Sequence, residues 1–250
     1  MSPAKANYIG ARSMHPSHLS ELLYPRHCPF CDRLLRDDEP YLCRSCAKNI
    51  PWIRGPVCTS CGRPLDNEQG EYCGDCRKRP HLYRQGIVPF VYKGQVQESL
   101  MRFKYNGRAE YADFYARAIG MRGKESFARW KPEMTAAVPV HPSRFVRRGY
   151  NQAGVLAEKL AAGLGIPDVS GYLYRRKKTA PQKELTPADR RKNLDGAFGV
   201  RDGFRFPSRV LLVDDIYTTG ATMDELAKTV RMHGAEEVWF ACLASTPGEG

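Results

Sequence analysis

The sequence predicts an α/β fold: a mostly parallel sheet with helices on both faces, joined to a small tandem four-cysteine module. Three observations carry that prediction. After residue 86, short aliphatic runs alternate with segments of helical periodicity, the pattern of strands crossed over by helices. One run, RVLLVDD at 209–215, ends in two adjacent acids and opens into a small, hydroxyl-rich turn. Before residue 86, eight of the nine cysteines form Cys-x-x-Cys pairs, and the pattern recurs thirty residues later.

Residues 1–20 read as a flexible N-terminus without the apolar core of a signal peptide. Residues 21–85 hold the cysteine module. Cys28, Cys31, Cys43 and Cys46 are matched by Cys58, Cys61, Cys73 and Cys76, and YLCRSC resembles EYCGDC, so one small unit is duplicated. A Cys-x-x-Cys turn aims both sulfurs at one point, and two such turns complete a tetrahedron of thiolates, which suits zinc. A unit of about thirty residues buries too little surface to hold itself, so the metal supplies much of its folding energy. Two structural Zn²⁺ ions are expected, held either within each repeat or across the two. His27 and His81 flank the cysteines as alternative ligands, although eight thiolates already fill two sites. Four disulfides are the rival reading, which the lack of an export signal disfavours. Cys-x-x-Cys redox chemistry is disfavoured because the pairs come in fours.

RKRPHLYRQG (77–86) reads as the connection to the second unit, residues 86–250. There, IVPFVY (87–92) is a short strand and QVQESLMRFKYN (95–106) a helix with Val96, Leu100 and Phe103 on one face. A second helix runs through 109–122, a strand through 135–141 stops at Pro142, and 151–165 is a strong helix ended by glycine. Residues 171–194 are basic and lack apolar periodicity, as in a long loop with a short helix near 187–193. A small strand at 196–200, the buried strand 209–215, a helix at 221–234 and a last strand at 236–244 complete the series. The ninth cysteine, Cys242, falls in that last strand as a buried residue. The longest apolar run, Val238 to Ala244, is too short to span a membrane, so no membrane insertion and a cytoplasmic location are expected.

The formal charge of +12 favours polyanionic partners, either nucleic acid or phosphorylated small molecules. Residues 1–85 hold thirteen Lys/Arg and nine Asp/Glu; two zinc ions on eight thiolates add a formal charge of about −4 and cancel that excess. The surplus therefore belongs to residues 86–250, with twenty-six Lys/Arg against eighteen Asp/Glu.

In parallel sheets, ligands bind beyond the carboxyl ends of strands. Asp214 and Asp215 close the 209–215 strand, and YTTGAT leads into a helix whose N-terminal amides and hydroxyls form an anion cradle. Carboxylates repel phosphate directly but suit the hydroxyls of an attached sugar. Together the two parts describe a holder for a ribose 5-phosphate. The plainer reading is a strand–turn–helix with Asp and Thr as caps.

VLLVDDIYTTGAT resembles the phosphoribosyl pyrophosphate (PRPP) signature of type I phosphoribosyltransferases. AAVPVHPSRFVRRGYNQAGVLAEKLA, YRRKKTAPQKELTPADRRKNLDGAFGV, the cysteine module and RFKYNG extend the resemblance, from Cys28 to Ala244, to the ComF family of competence-associated proteins. The resemblance implies a type I phosphoribosyltransferase-like parallel sheet behind a double zinc ribbon. It implies that Asp214 and Asp215 bind the ribose hydroxyls and that Thr218, Thr219, Gly220, Ala221 and Thr222 hold the 5-phosphate. The resemblance places Val140 and His141 in the pyrophosphate-binding turn, has Arg147, Arg148 and the 175–183 loop bracket the pyrophosphate or cover the site, makes Arg147 catalytic with Asp214 and Asp215, and has Mg²⁺ join pyrophosphate to the ribose hydroxyls.

Two functions follow from different classes. One is a PRPP-responsive protein that handles single-stranded DNA in natural transformation, with proteins of the DNA-uptake machinery as partners. Its candidate DNA contacts are Arg147, Arg148, Arg175, Arg176, Lys177 and Lys178, with Tyr150, Tyr172 and Tyr174 placed to stack on bases. The other is an active transferase that passes phosphoribose to a base or amine. No acceptor-specificity segment is recognisable in the sequence.

Overall fold

The computed structural model describes residues 25–65, 70–176 and 193–247. Seven strands are described: β1 (Gly86–Ile87), β2 (Phe90–Val91), β3 (Met134–Ala137), β4 (Leu173–Arg175), β5 (Phe198–Val200), β6 (Arg209–Tyr217) and β7 (Glu237–Ser245). The described helices are α1 (Arg44–Lys48), α2 (Gly74–Lys78), α3 (Gly94–Tyr105), α4 (Tyr111–Trp130), α5 (Pro142–Arg148), α6 (Gln152–Leu164) and α7 (Ala221–Met232). The main sheet runs β1-β7-β6-β3, with β2 also on β7, and every pairing in it is parallel. β4 and β5 pair antiparallel as a separate ribbon.

Alternation along the two long strands sorts the core into two layers. Leu211, Val213, Trp239, Ala241 and Leu243 face α3, α4 and α6 on one side. Val210, Leu212, Val238, Phe240 and Cys242 face α7 and the β4–β5 ribbon on the other. Helices thus cover both faces, and the nearly continuous apolar character of β6 and β7 follows from burial on both sides.

Several elements differ from their sequence expectations for local reasons. The strand expected at 87–92 is broken at Val88–Pro89 into β1 and β2, because proline lacks the N–H the ladder requires. The strand expected to reach His141 ends at Ala137, although Val138 N–H still donates to Val213 O at 2.9 Å. The residues beyond it turn into α5, capped by His141, with Pro142 in the first turn. α4 continues to Trp130, where Lys131 takes a left-handed conformation (φ +48°) ahead of Pro132. β6 runs past Asp215 to Tyr217. The loop expected at 171–194 begins as a short 3₁₀ turn and β4; its expected helix near 187–193 falls almost wholly outside the described residues.

The cysteine repeats straddle the β1–β2 edge of the sheet. Cys28, Phe30, Leu42 and Cys43 join the α3–α4 layer, where the Phe30 ring meets Phe90 and Phe114 edge-on at 5.9 and 5.5 Å. Cys58, Cys61, Cys73, Cys76 and Tyr83 join the α7 layer. Residues 79–85 connect the second repeat to β1, and Arg84 N–H donates to Val238 O at 2.8 Å.

Gly86 stands directly opposite Phe240 in the β1–β7 ladder, and a Cβ there would lie 2.0 Å from the Phe240 ring. That ring is fully buried and held by Tyr83 and Tyr217, so it has nowhere to move. Gly86→Ala is expected to destabilise the protein by about 1–3 kcal/mol through overpacking. Gly163→Ala, on the exposed side of α6 with open space around it, should instead stabilise by about 0.5–1 kcal/mol. Denaturant midpoints of the two variants check the opposite signs.

Candidate ligand site and metal centres

The last residues of β6 bring two carboxylates to the C-terminal end of the sheet. The Asp215 N–H donates to Asp214 Oδ1 at 2.8 Å, fixing the first side chain against the backbone of the second. Lys104, from the last turn of α3, places Nζ 2.9 Å from Asp215 Oδ2, with both side chains largely buried. Burial, and then the neighbouring Asp215 charge, push the Asp214 carboxyl up to about 7, while the Asp215 N–H, Lys104 and Arg175 act in the opposite direction. Cys242, opposite Asp214 in the ladder, is pushed well above the usual thiol range by burial and then by the Asp214 charge, which suits an inert core residue.

The turn that follows carries the other sequence-predicted residues. Gly220 caps α7 with φ +80°, and Ala221 and Thr222 form the helix's first positions. The Thr219 hydroxyl is buried and has no hydrogen-bond partner among the described residues. An unpaired buried hydroxyl is costly, so its presence at a helix N-terminus fits a site completed by an acceptor from outside the chain.

Val140 and His141 lead into α5, where His141 Nδ1 accepts from Ser143 N–H at 3.2 Å. Arg147 and Arg148, at its end, clasp Tyr105 of α3, their guanidinium carbons 5.5 and 5.1 Å from the ring centre. Arg148 also donates to the Tyr105 hydroxyl at 3.2 Å and to Gln152 Oε1 at 2.9 Å. Against the desolvation of a half-covered phenol, the Arg148 hydrogen bond and the charges of Arg148, Lys104 and Arg147 hold Tyr105 below its usual range.

Arg175 lies over the Phe198 ring at 5.4 Å and is pushed down to about 10 by burial and then by Arg144, with the Asp214 charge opposing. Arg176 is exposed and stacks on Tyr174 at 5.7 Å. Lys177 and Lys178 lie outside the described residues. Of the aromatic candidates, Tyr172 and Tyr174 are exposed, whereas Tyr150 is turned inward and its hydroxyl donates to Phe103 O.

Sequence reasoning misses Arg144, which burial and then Arg148 hold below the usual guanidinium range while Tyr105 and Asp215 oppose. It also misses the ion pair made by Lys104. Both residues stand inside motif stretches, HPSRFVRR and RFKYN, but no spacing rule links them to β6. Arg63 and Arg79 escape it as well: each donates to the turn, Arg63 to Thr218 O and Arg79 to Thr219 O at 3.3 Å.

Each cysteine set gathers within its own repeat. The four sulfurs of Cys28, Cys31, Cys43 and Cys46 lie within 4.8 Å of one another, as do those of Cys58, Cys61, Cys73 and Cys76. The Cys31–Cys43 and Cys61–Cys73 separations are both 3.7 Å, close to the edge of about 3.8 Å in a zinc–thiolate tetrahedron. Both sets therefore fit structural zinc, and pairing across repeats is ruled out. His81 is not a fifth ligand candidate: its Nε2 sits 3.4 Å from Cys76 Sγ while its Nδ1 sits 2.9 Å from Asp224 Oδ2.

Comparison with known proteins agrees with this architecture. The double zinc ribbon domain family matches residues 19–77, and the phosphoribosyl transferase domain family matches residues 147–250. Competence protein F of Haemophilus influenzae is 33% identical over 216 residues, covering 84% of this chain and 93% of that protein. The chain belongs to the ComF family. Other ComF relatives include the DNA utilization protein YhgH of Salmonella typhimurium, 28% identical over 90% of this chain and 99% of that protein. Competence protein ComFC of Streptococcus pneumoniae is 28% identical over 82% of this chain and 88% of that protein. Among the described residues, no helix is long and apolar enough to cross a membrane.

Elemental analysis of the purified protein should give two zinc ions per chain. A ratio near one would contradict two independent sites, and metal-free protein with oxidised thiols would contradict the class of site.

Proposed function

We propose that this ComF-family chain binds PRPP with Mg²⁺ at the end of β6 and handles single-stranded DNA on the adjoining cationic face, in the cytoplasm, as part of DNA uptake. The observation that carries the first half is the pairing of two half-buried carboxylates with a turn whose Thr219 hydroxyl is left unpartnered. In this reading Asp214 and Asp215 accept from the ribose 2- and 3-hydroxyls. Residues 218–222 surround the 5-phosphate with amides and hydroxyls. Val140 and His141 adjoin the pyrophosphate, whose charge Mg²⁺ and the nearby arginines balance. The names of the relatives, competence and DNA utilization proteins, support the second half, and proteins of the uptake machinery are its expected partners.

One observation favours transfer activity as a second reading. Arg144 and Arg175 both act electrostatically near the acid pair, where cations would stabilise departing pyrophosphate as positive charge builds on the ribose. Release of pyrophosphate from PRPP on addition of a base or amine would select that reading.

Asp214→Ala with Asp215→Ala is expected to abolish Mg²⁺-PRPP binding by calorimetry while leaving the fold intact. Undiminished binding would refute the ribose contacts. Because an ionised Asp214 accepts from a hydroxyl more strongly than the protonated carboxyl does, wild-type affinity should rise as pH passes through about 7. In Asp214→Asn only the ionisation of the ligand's own phosphates should remain in the profile. The same raised value means the ionised carboxyl is destabilising. Ligand-free protein should lose stability as pH climbs from the ordinary carboxylate range through about 7, and Asp214→Asn should lose less.

Single-stranded DNA binding should fall steeply with salt as bound phosphates release counterions. Arg147→Ala with Arg148→Ala should weaken binding and flatten the salt slope by about 0.7 for each phosphate no longer neutralised. Salt-indifferent binding, or an unchanged slope in the variant, would remove this face from the DNA path. If the face serves both ligands, saturating PRPP should also weaken the DNA complex.

A further inference from the structure

The two ribbons are copies in sequence but differ in what they touch. Arg33 and Arg63 hold equivalent places, each two residues after the second cysteine of its set. Each follows a residue with positive φ, +57° at Asp32 and +73° at Gly62. The Arg33 side chain is 41% exposed and pairs with Glu39 of its own ribbon at 2.5 Å. The Arg63 side chain is 2% exposed; it pairs with Asp75 of its own ribbon at 2.9 Å and reaches across to the carbonyl of Thr218.

Two residues of the segment that leaves the same ribbon reach the same turn. Arg79 donates to Thr219 O at 3.3 Å and to Asp224 Oδ2 at 3.0 Å. His81, almost fully buried, spans from Cys76 Sγ at 3.4 Å to Asp224 Oδ2 at 2.9 Å. Asp224 lies in the first turn of α7 and also accepts from Leu82 N–H at 3.0 Å. The second ribbon therefore grips both sides of the β6–α7 turn: two carbonyls before the helix and one carboxylate inside it.

Peptide geometry gives this grip a consequence. A trans peptide is planar, with its C=O and the following N–H pointing in opposite directions. Pinning the Thr218 and Thr219 carbonyls on the ribbon turns the N–H groups of Thr219 and Gly220 away from it. A guanidinium on each carbonyl also polarises its peptide and strengthens the opposite N–H as a donor. The arginines sit within three residues of zinc-ligating cysteines, in a unit too small to keep its shape without metal.

We propose that Arg63, Arg79 and His81 are positioning residues that orient the 218–220 peptides, so that anion binding at the β6–α7 turn depends on the second zinc ribbon and not on the first. The identity of the anion as the PRPP 5-phosphate rests on the function proposed above; the orientation of the turn does not.

Hydrogen exchange separates the two claims. Arg63→Ala, Arg79→Ala and the first-ribbon control Arg33→Ala are compared with wild type as full-length, zinc-loaded protein. The exchange of amides 217–224 is read without ligand, and Mg²⁺-PRPP affinity is read by calorimetry. Removing a charge-assisted hydrogen bond should raise exchange at Asp224, whose N–H donates to Gly220 O at 2.8 Å, and weaken PRPP by about tenfold or more in the first two variants, with Arg33→Ala matching wild type. The partly exposed Arg79 decides the outcome should Arg63→Ala fail to fold. Unchanged exchange in Arg79→Ala with two zinc ions bound would overturn the proposal, as would equal acceleration by Arg33→Ala. Faster exchange with undiminished PRPP affinity would overturn the link to ligand. Faster exchange in the variants of a protein whose wild type binds no PRPP would leave the orientation standing and refute PRPP as the ligand.

Discussion

Two carboxylates in sequence at the end of a buried strand are costly, and much of the surrounding chain is arranged around that cost. Burial, and then the adjacent Asp215 charge, make Asp214 resist ionising near neutrality. Lys104 answers directly from the end of α3. Arg175 and Arg144 answer at longer range, and they come from β4 and α5. These cations arrive from three elements that share no local sequence signal. What unites them is the charge at the tip of β6. The arrangement leaves Asp214 close to balance near neutrality, where a ligand's hydroxyls can shift its ionisation.

The second constraint is the size of the ribbons. A cysteine unit of this length has little core of its own, and here each unit borrows one from a different layer of the sheet. Phe30 of the first ribbon enters the aromatic cluster with Phe90 and Phe114. The second ribbon leads into Tyr83, whose ring meets Phe240 at 4.7 Å and whose hydroxyl lies 2.7 Å from that of Tyr217, just before the turn. The ribbons thus close the β1–β2 edge of the sheet, which would otherwise offer unpaired backbone groups to other chains.

The parts of this architecture visible in the sequence are those governed by local rules. Continuous apolar runs locate β6 and β7, helical spacing locates α3, α6 and α7, and the Cys-x-x-Cys spacing locates both metal sites. The Asp–Asp and Thr–Thr–Gly cluster stands out because its residues are neighbours in the chain. The break at Pro89 and the short α5 are less visible, since a two-residue strand and a seven-residue helix carry almost no periodicity. Least visible are Lys104, Arg144, Arg63 and Arg79. Each acts through a partner far along the chain: Arg63 lies 155 residues from Thr218 and Arg79 lies 140 from Thr219. A basic residue beside a cysteine reads as surface charge until the fold shows which carbonyl it meets.

The two copies are not interchangeable. At the position before the arginine, the first ribbon has Asp32, whose carboxylate takes hydrogen bonds from Arg108 at 3.0 Å and Tyr111 at 2.5 Å and ties the ribbon to the start of α4. The second has Gly62, where a Cβ would come within 2.7 Å of the Gly86 carbonyl oxygen. Backbone cannot yield as a flexible side chain can, so an aspartate there would push the ribbon off β1. It would also draw Arg63, the next residue, away from Thr218. The same left-handed turn therefore serves as a polar clasp in one copy and as a close backbone seat in the other. The missing side chain at 62 lets the second ribbon approach closely enough for its buried guanidinium to reach the turn after β6.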